Sequence, residues 1–490
     1  MRYSLVLPLV LAGALPAAAD GLYTGGPDAA PDLVQRIADD STLGTEALLS
    51  PEGDLIAQGR YIATAADCAA CHTAPGGKDM AGGYAIASPM GAIIASNITP
   101  SKEFGIGNWS EEQFAKALRQ GVAPDGHLYP AMPYTAYAGM TDADVHALYS
   151  YLMQQVQPVD VAPAQQTQLG FPYDQRWLMA GWNLMFAGGT PAQAADVAPG
   201  AEGRGAYLVN VLGHCQTCHT PRNLLMGETS SAYLGGADLN GWHAPNITSD
   251  KISGIGGWSK DEIVSYLRSG AAHGKAQAGG AMAEAVGKSF RHLSDADLEA
   301  IAGYLKTVPA IHAEGQTIPS YGVTKAADVQ MMAFDAPIDH APRAMADGSS
   351  TDGAEIYAGA CSSCHQLDGA GTADQFYPSL SANSATGGLS AANLVMAVAN
   401  GIHRETNGYT VSMPAFGDTL SDPQIAAVSN YVLTSFGNKD LSVTAQDVAQ
   451  MKAGGPTPWL LRATPWLLGG AVLVLVLLLA ALIGVIRRKR

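Results

Sequence analysis

An all-α chain is predicted, built as three tandem small helical domains followed by one C-terminal transmembrane helix. Three observations point there. All six cysteines fall in three Cys-x-x-Cys-His pentapeptides. The stretch that follows the first pentapeptide recurs after the second at a near-constant offset. A run of 21 uncharged, mostly apolar residues stands close to the C-terminus, and no convincing alternating strand pattern is present.

Composition sets the frame. The 490 residues suggest three domains at about 150 residues each. A hydrophobic content of 47% excludes wholesale disorder. Charged residues make up only 14%, and 56 glycines with 28 prolines point to loop-rich domains. The net charge of −16 argues against nucleic acid as a partner, because phosphate binding needs clustered Lys and Arg.

The elements follow in chain order. Residues 1–19 read as a signal peptide: Arg2, an apolar run from Leu5 to Leu15 broken by Pro8, and the small-residue site Ala17-Ala18-Ala19. That run is too short to span a bilayer. Residues 20–52 form an N-terminal extension without an assignable role. Domains are expected at 53–160, 198–312 and 349–438, with linkers at 161–197, 313–348 and 439–465. Trp466 to Ile486 would form a helix of about 31 Å, the thickness of a hydrocarbon core. Trp459 and Trp466 suit the membrane interface, and the tail at 487–490, Arg487-Arg488-Lys489-Arg490, would stay in the cytoplasm. The expected location is therefore the inner membrane, with the domains on the periplasmic side.

The pentapeptides Cys68–His72, Cys215–His219 and Cys361–His365 carry the chemistry. CxxCH is the attachment signature of c-type haem. Two intervening residues let both thiols reach the two vinyl groups of one porphyrin from a single helical turn. The adjacent His72, His219 or His365 then offers its imidazole to the iron. Zinc would want a second CxxC pair, and a disulfide framework would not place His after the second Cys three times. Three covalently bound haems c are expected.

Asn97-Ile98-Thr99 recurs as Asn246-Ile247-Thr248, and the run from Gly105 to Ser110 recurs from Gly254 to Ser259. Both offsets are 149 residues, against 147 for the cysteines, which signals duplication of a folded unit. Each domain should open with a helix carrying CxxCH near its C-terminal end. A second helix starts at Ser110 or Ser259 behind a capping box, and at Ser390 without one. A last helix starts at Thr141, Ser294 or Ser421, with Val145, Leu148, Tyr149 and Leu152 at helical spacing in the first.

A haem that only passes electrons is normally six-coordinate, and a Met ligand raises its potential. The candidates lie in loops before each last helix: Met132, Met282 and Met413, placed 60, 63 and 48 residues after their histidines. His273 and His292 flank Met282 and are competing ligands. Met140, Met226 and Met396 read as packing, and His214 as a solvated neighbour. Arg119 and Arg268 occupy equivalent places on the second helix, where a guanidinium could fork onto haem propionates; a solvated helix charge is the equal alternative. Trp109 and Trp258 suit either the porphyrin edge or the helix start. Pro378 could offer a carbonyl to the ring N–H of His365.

The order CxxCH, NITP, GIGNWS, YPAMPY, then HCQTCHTPR, NITSD, then CSSCHQLDGAG with VSMPAF, resembles the triheme cytochrome c subunit of bacterial membrane-bound dehydrogenases, notably of acetic acid bacteria. The resemblance covers about residues 55–440 and implies three tandem cytochrome c domains. It implies a catalytic partner subunit of the molybdenum, flavin or quinoprotein type, oxidising aldehyde, alcohol or sugar and polyol, with a small subunit alongside. It further implies electron delivery to ubiquinone, and it places Met132, Met282 and Met413 where axial methionines lie. No GxGxxG follows a strand, so substrate oxidation by this chain alone is not expected. The alternatives are a haem c subunit of a terminal oxidase chain and a multihaem peroxidase.

Overall fold

The computed structural model describes residues 54–88, 90–187, 201–323, 349–406, 408–456 and 459–488, apart from the side chains of 468, 471, 472, 475, 480 and 482. The expected signal peptide, the N-terminal extension and parts of the linkers lie outside the described residues.

Module 1 runs through α1 (Leu55–Ala65), α2 (Cys68–His72), the strands β1 (Ala85–Ser88) and β2 (Gly91–Ile94), and α3 (Glu111–Gln120). It continues with β3 (Val122–Ala123), β4 (Gly126–His127), α4 (Tyr134–Tyr137) and α5 (Asp142–Gln154). After β5 (Gln168–Leu169) and α6 (Met179–Phe186), module 2 repeats the plan. Its elements are α7 (Ala201–Tyr207), α8 (Gln216–His219), β6 (Ala237–Leu239), β7 (Trp242–Ala244), α9 (Lys260–Ser269), β8 (Ala271–Ala272), β9 (Ala276–Gln277), α10 (Gly280–Lys288) and α11 (Asp295–Leu305). Module 3 has α12 (Gly353–Ala360), α13 (Ser362–His365), α14 (Ser384–Gly387), α15 (Ala392–Asn400), β10 (Ile402–Glu405), β11 (Thr410–Met413) and α16 (Asp422–Phe436). Two more helices follow, α17 (Ala445–Lys452) and α18 (Trp459–Arg488).

Two parts of the expected fold are corrected. The chain is not all-α, because β1, β2 and β5 form a three-stranded sheet and the other strands pair as antiparallel hairpins. These strands are two to four residues long, too short to show alternation, and turn residues set them. Asn240 and Gly241, with φ of 49° and 83°, close the β6–β7 hairpin. The transmembrane helix is corrected as well: among the described residues no helix is long and apolar enough to cross a membrane. Helix α18 carries Arg462 and Pro465 within it.

In each module the first and last helices cross at a glycine. A Cβ on Gly59 would sit 2.0 Å from the Ala147 carbonyl oxygen, one on Gly205 2.1 Å from that of Ala300, and one on Gly353 2.2 Å from that of Ala427. Only a hydrogen fits there, so the backbones touch. The second helices start as their sequences dictate. Ser110 with Gln113 and Ser259 with Glu262 form capping boxes, and Gly121 and Gly270 end the helices in the left-handed region. In module 3, α15 begins past Ser390, whose hydroxyl accepts from the Ala392 amide.

The repeated Asn-Ile-Thr motif is a staple. Asn97 Nδ2 donates to the Val159 carbonyl at 2.8 Å, while its Oδ1 accepts from the Thr99 amide and hydroxyl. Asn246 binds the Ile311 carbonyl and Thr248 in the same way. Each staple ties the chain leaving the last helix back to the loop after the pentapeptide.

Modules 1 and 2 face each other through a reciprocal pair of tyrosines. Tyr61 of α1 donates to Asp297 at the start of α11, and Tyr207 of α7 donates to Asp144 at the start of α5. Arg204 holds Asp297 with two bonds of 2.8 Å. A π-helical turn at Leu208–Leu212 absorbs one extra residue between Tyr207 and Cys215, so both junctions keep their register. One apolar core runs continuously through these two modules, whereas module 3 has its own.

Candidate redox centre

Each pentapeptide lies on or at the start of a short helical turn, α2, α8 or α13. The imidazoles are oriented alike. His72 Nδ1 contacts the Ser96 carbonyl at 2.7 Å, His219 Nδ1 that of Pro245 at 2.6 Å, and His365 Nδ1 that of Pro378 at 3.0 Å. A carbonyl oxygen only accepts, so Nδ1 carries the proton and Nε2 keeps its lone pair for a metal. Burial lowers the basicity of all three rings, more than these carbonyl contacts restore it, and a neutral ring is the form that ligates.

The cysteines are not joined to one another. Burial pushes the Cys68, Cys71 and Cys215 thiols up to about 12, that of Cys361 up to about 11, and Cys218 in the same direction. Protonated thiols of this kind are poor nucleophiles for disulfide exchange. Among the described residues, no group of three or more His, Cys, Asp or Glu is arranged to hold a bare metal ion.

A connected cavity of about 2670 Å³ runs through the modules. Cys68, Cys71, Cys215, Cys218, the three imidazoles, and Met132, Met282 and Met413 line it, while Cys361 and Cys364 stand outside its wall. Its lining is largely apolar, with Ile106, Leu118, Trp109, Ile255, Leu267 and Trp258 among it. Paired thiols, an imidazole with a free Nε2 and a thioether around an apolar space are the donor set that a covalently held haem needs.

The methionines reach that space from different elements. Met132 sits in a turn, as expected, but Met282 lies in the first turn of α10 and Met413 ends β11. Its rivals do not line the cavity: His273 is absent from the wall, and His292 contacts Arg291 and the Gly287 carbonyl. Met140 is buried in packing, while Met396, also buried, and Met226 line the cavity too.

Arg119 and Arg268 do not line the cavity either. Each bridges the end of the second helix to the start of the last. Arg119 pairs with Asp142 at 2.7 Å and donates to the Met140 carbonyl. Arg268 binds the Arg291 and Leu293 carbonyls and Asp295. In the structure each arginine ties the second helix to the last. His214 is no solvated neighbour: burial pulls it down to about 4, and its ring stands edge-on to Tyr137 of module 1, with centroids 5.6 Å apart.

Sequence reasoning missed the junction of modules 1 and 2. There Asp67, next to Cys68, is pushed well above the usual carboxylate range by burial and then by the nearby Glu284. Glu284 accepts from the Tyr84 hydroxyl at 3.2 Å. Nothing local marks these residues, because they meet only across the module boundary.

Comparisons with known proteins agree with this geometry. The family model described as cytochrome c matches residues 56–155. The model described as cytochrome c oxidase, cbb3-type, subunit III matches residues 348–432. The fructose dehydrogenase cytochrome subunit of Gluconobacter japonicus is 45% identical over 463 residues, 89% of this chain and 91% of that protein. The alcohol dehydrogenase (quinone) cytochrome c subunit of Gluconacetobacter polyoxogenes is 37% identical, over 84% of this chain and 87% of its own. The gluconate 2-dehydrogenase cytochrome c subunit of Pantoea cypripedii is 37% identical, over 84% and 93%.

Proposed function

The chain belongs to the cytochrome c subunits of bacterial dehydrogenase complexes, and from that premise we propose that it carries three haems c and relays electrons from a catalytic partner to ubiquinone. Covalent haem c and an electron-transfer role follow from family membership. The observation that carries the finer reading is the repetition of one donor set: three histidines anchored through Nδ1 to a carbonyl, each with a cysteine pair, and three methionines on the wall of the same cavity.

When bound, the haem supplies a one-electron iron couple. The protein's own residues do the rest. The cysteines tether it, the carbonyls of Ser96, Pro245 and Pro378 fix the imidazoles, and Met132, Met282 and Met413 would close the sixth position and raise the potential. With that position closed, the haems have no open iron for peroxide, which disfavours the peroxidase. The cbb3-type match covers only module 3, so it supports a shared domain more than a shared complex. We place the haem modules on the periplasmic side of the inner membrane, where thioether attachment takes place. The 45% relative makes a sugar- or polyol-oxidising partner the first to test.

The test is a pyridine haemochrome count on the denatured chain, followed by substrate reduction of the purified complex. Three haems per chain, reduced by fructose, an alcohol or gluconate and reoxidised by a soluble ubiquinone analogue, are expected. Fewer haems, high-spin resting spectra, or turnover of hydrogen peroxide alone would overturn the proposal.

A further inference from the structure

The turn that leads to Met132 has a counterpart leading to Met282, in the same register. The Leu128 amide donates to the Gly121 carbonyl and the Ala278 amide to that of Gly270, each at 2.8 Å. Leu128 and Ala278 lie four residues before the two methionines. Both turns are gripped by an arginine from outside their own module, but the two arginines differ in charge balance.

In module 1 the grip is neutral. Arg176 Nε donates to the His127 carbonyl at 2.8 Å, and its two terminal nitrogens meet Asp125 at 2.8 and 3.3 Å. The space over the helix-ending Gly121 is filled by Tyr134, which follows Met132 by two residues. Module 2 has Glu284 at the matching place and no aromatic ring there. Its space is filled by module 3: a Cβ on Gly270 would lie 2.2 Å from Arg404 Cδ.

Arg404, on β10, is only 3% exposed. Its Nη1 donates to the Ala278 carbonyl and its Nη2 to Gln277 Oε1, both at 2.8 Å, while Nε is buried without a partner. No acid pairs with it among the described residues. Arginine does not give up its proton in proteins, so this is a permanent buried positive charge. Gln277, which it binds, and Tyr266, which lies close enough to act on its charge, both line the cavity that Met282 lines.

We propose that Arg404 is a positioning residue through which module 3 completes module 2: it clamps the turn before Met282 and, as an uncompensated cation, holds the module 2 haem at a higher potential than the module 1 haem. A nearby positive charge favours the iron state that has gained an electron, so the sign is upward. Module 1 receives no such bias, because Asp125 cancels Arg176. The inference rests on the three-haem reading above.

Two substitutions test it. R404Q removes the charge. Q277E leaves Arg404 in place and puts a carboxylate on its Nη2, reproducing the Asp125–Arg176 pair, so it keeps the test open even where R404Q weakens the module contact. Spectroelectrochemical titration of the whole complex reads each haem. In both variants one of three waves should move down by at least a tenfold change in its reduced-to-oxidised ratio, about 59 mV for one electron. The other two should hold, and R404K should keep the native wave. Unmoved waves in Q277E and in folded R404Q, or a drop in R404K as large as in R404Q, would overturn the proposal. A wild-type haemochrome count below three would instead fail the underlying reading, so the two failures are separable.

Discussion

Met132 and Asp297 show how much rests on single side chains. On the proposed ligation, replacing Met132 with His exchanges a thioether for a stronger donor to ferric iron. One haem wave should fall by on the order of 100 mV, within the range of about 0.8 V that axial ligands span. Loss of the ferric methionine charge-transfer band from one haem, with the haem count unchanged, checks it. Asp297 is a stability residue. Burial alone would raise its pKa, but Arg204 and the Tyr61 hydroxyl outweigh that and leave it below the ordinary value. A depressed carboxylate stabilises above the unfolded value of about 3.9 and loses that contribution as pH falls through the folded one. D297N should therefore cost about 1.5–3 kcal/mol at neutral pH and flatten the acid limb of a thermal melt below about pH 4. The pentapeptides were legible in the sequence because their chemistry is local. The helix ties made by Arg119 and Arg268 could not be read there, because their partners, Asp142 and Asp295, lie over twenty residues on.

Helices in this protein are specified at their ends and at their crossings. The capping boxes at Ser110 and Ser259 could be read directly, since the motif lies within four residues. S110A should lower stability by about 1 kcal/mol. The crossings could not be read in the same way. Gly59, Gly205 and Gly353 stand nine, ten and eight residues before their first cysteines, a spacing blurred by the π turn in module 2. Gly59→Ala would drive a methyl group into the Ala147 carbonyl, with an expected loss of about 1–3 kcal/mol in a denaturant titration. A crossing that tolerates alanine without loss would mean that α1 and α5 are not held in contact. The hairpins escaped notice for a different reason: two to four residues are too few for a period of two to show, and the turn glycines looked like loop residues.

At the scale of the whole molecule, duplication was plain from the 149-residue offset, yet the consequence for packing was not. Modules 1 and 2 share a core and module 3 has a separate one. Calorimetry on the holoprotein should therefore show two transitions rather than three, the larger covering both repeats. Without haem attachment the cavity of about 2670 Å³ would have to stay open or collapse. The chain made in a compartment that does not attach haem should be digested by protease within the modules as well as in the linkers, and full resistance there would contradict a structural role for the cofactor.

The crossed tyrosines, Tyr61 to Asp297 and Tyr207 to Asp144, have a consequence for ancestry. Each repeat holds one half of its sibling's handshake, so a recombination breakpoint between the first two pentapeptides would leave two orphans with an uncovered side. A breakpoint ahead of the third severs hydrogen bonds, those of Arg404, Arg291 and Asn393 among them, and divides no shared core. The first two repeats are bound to be inherited as a couple, while the third is the piece that evolution could trade.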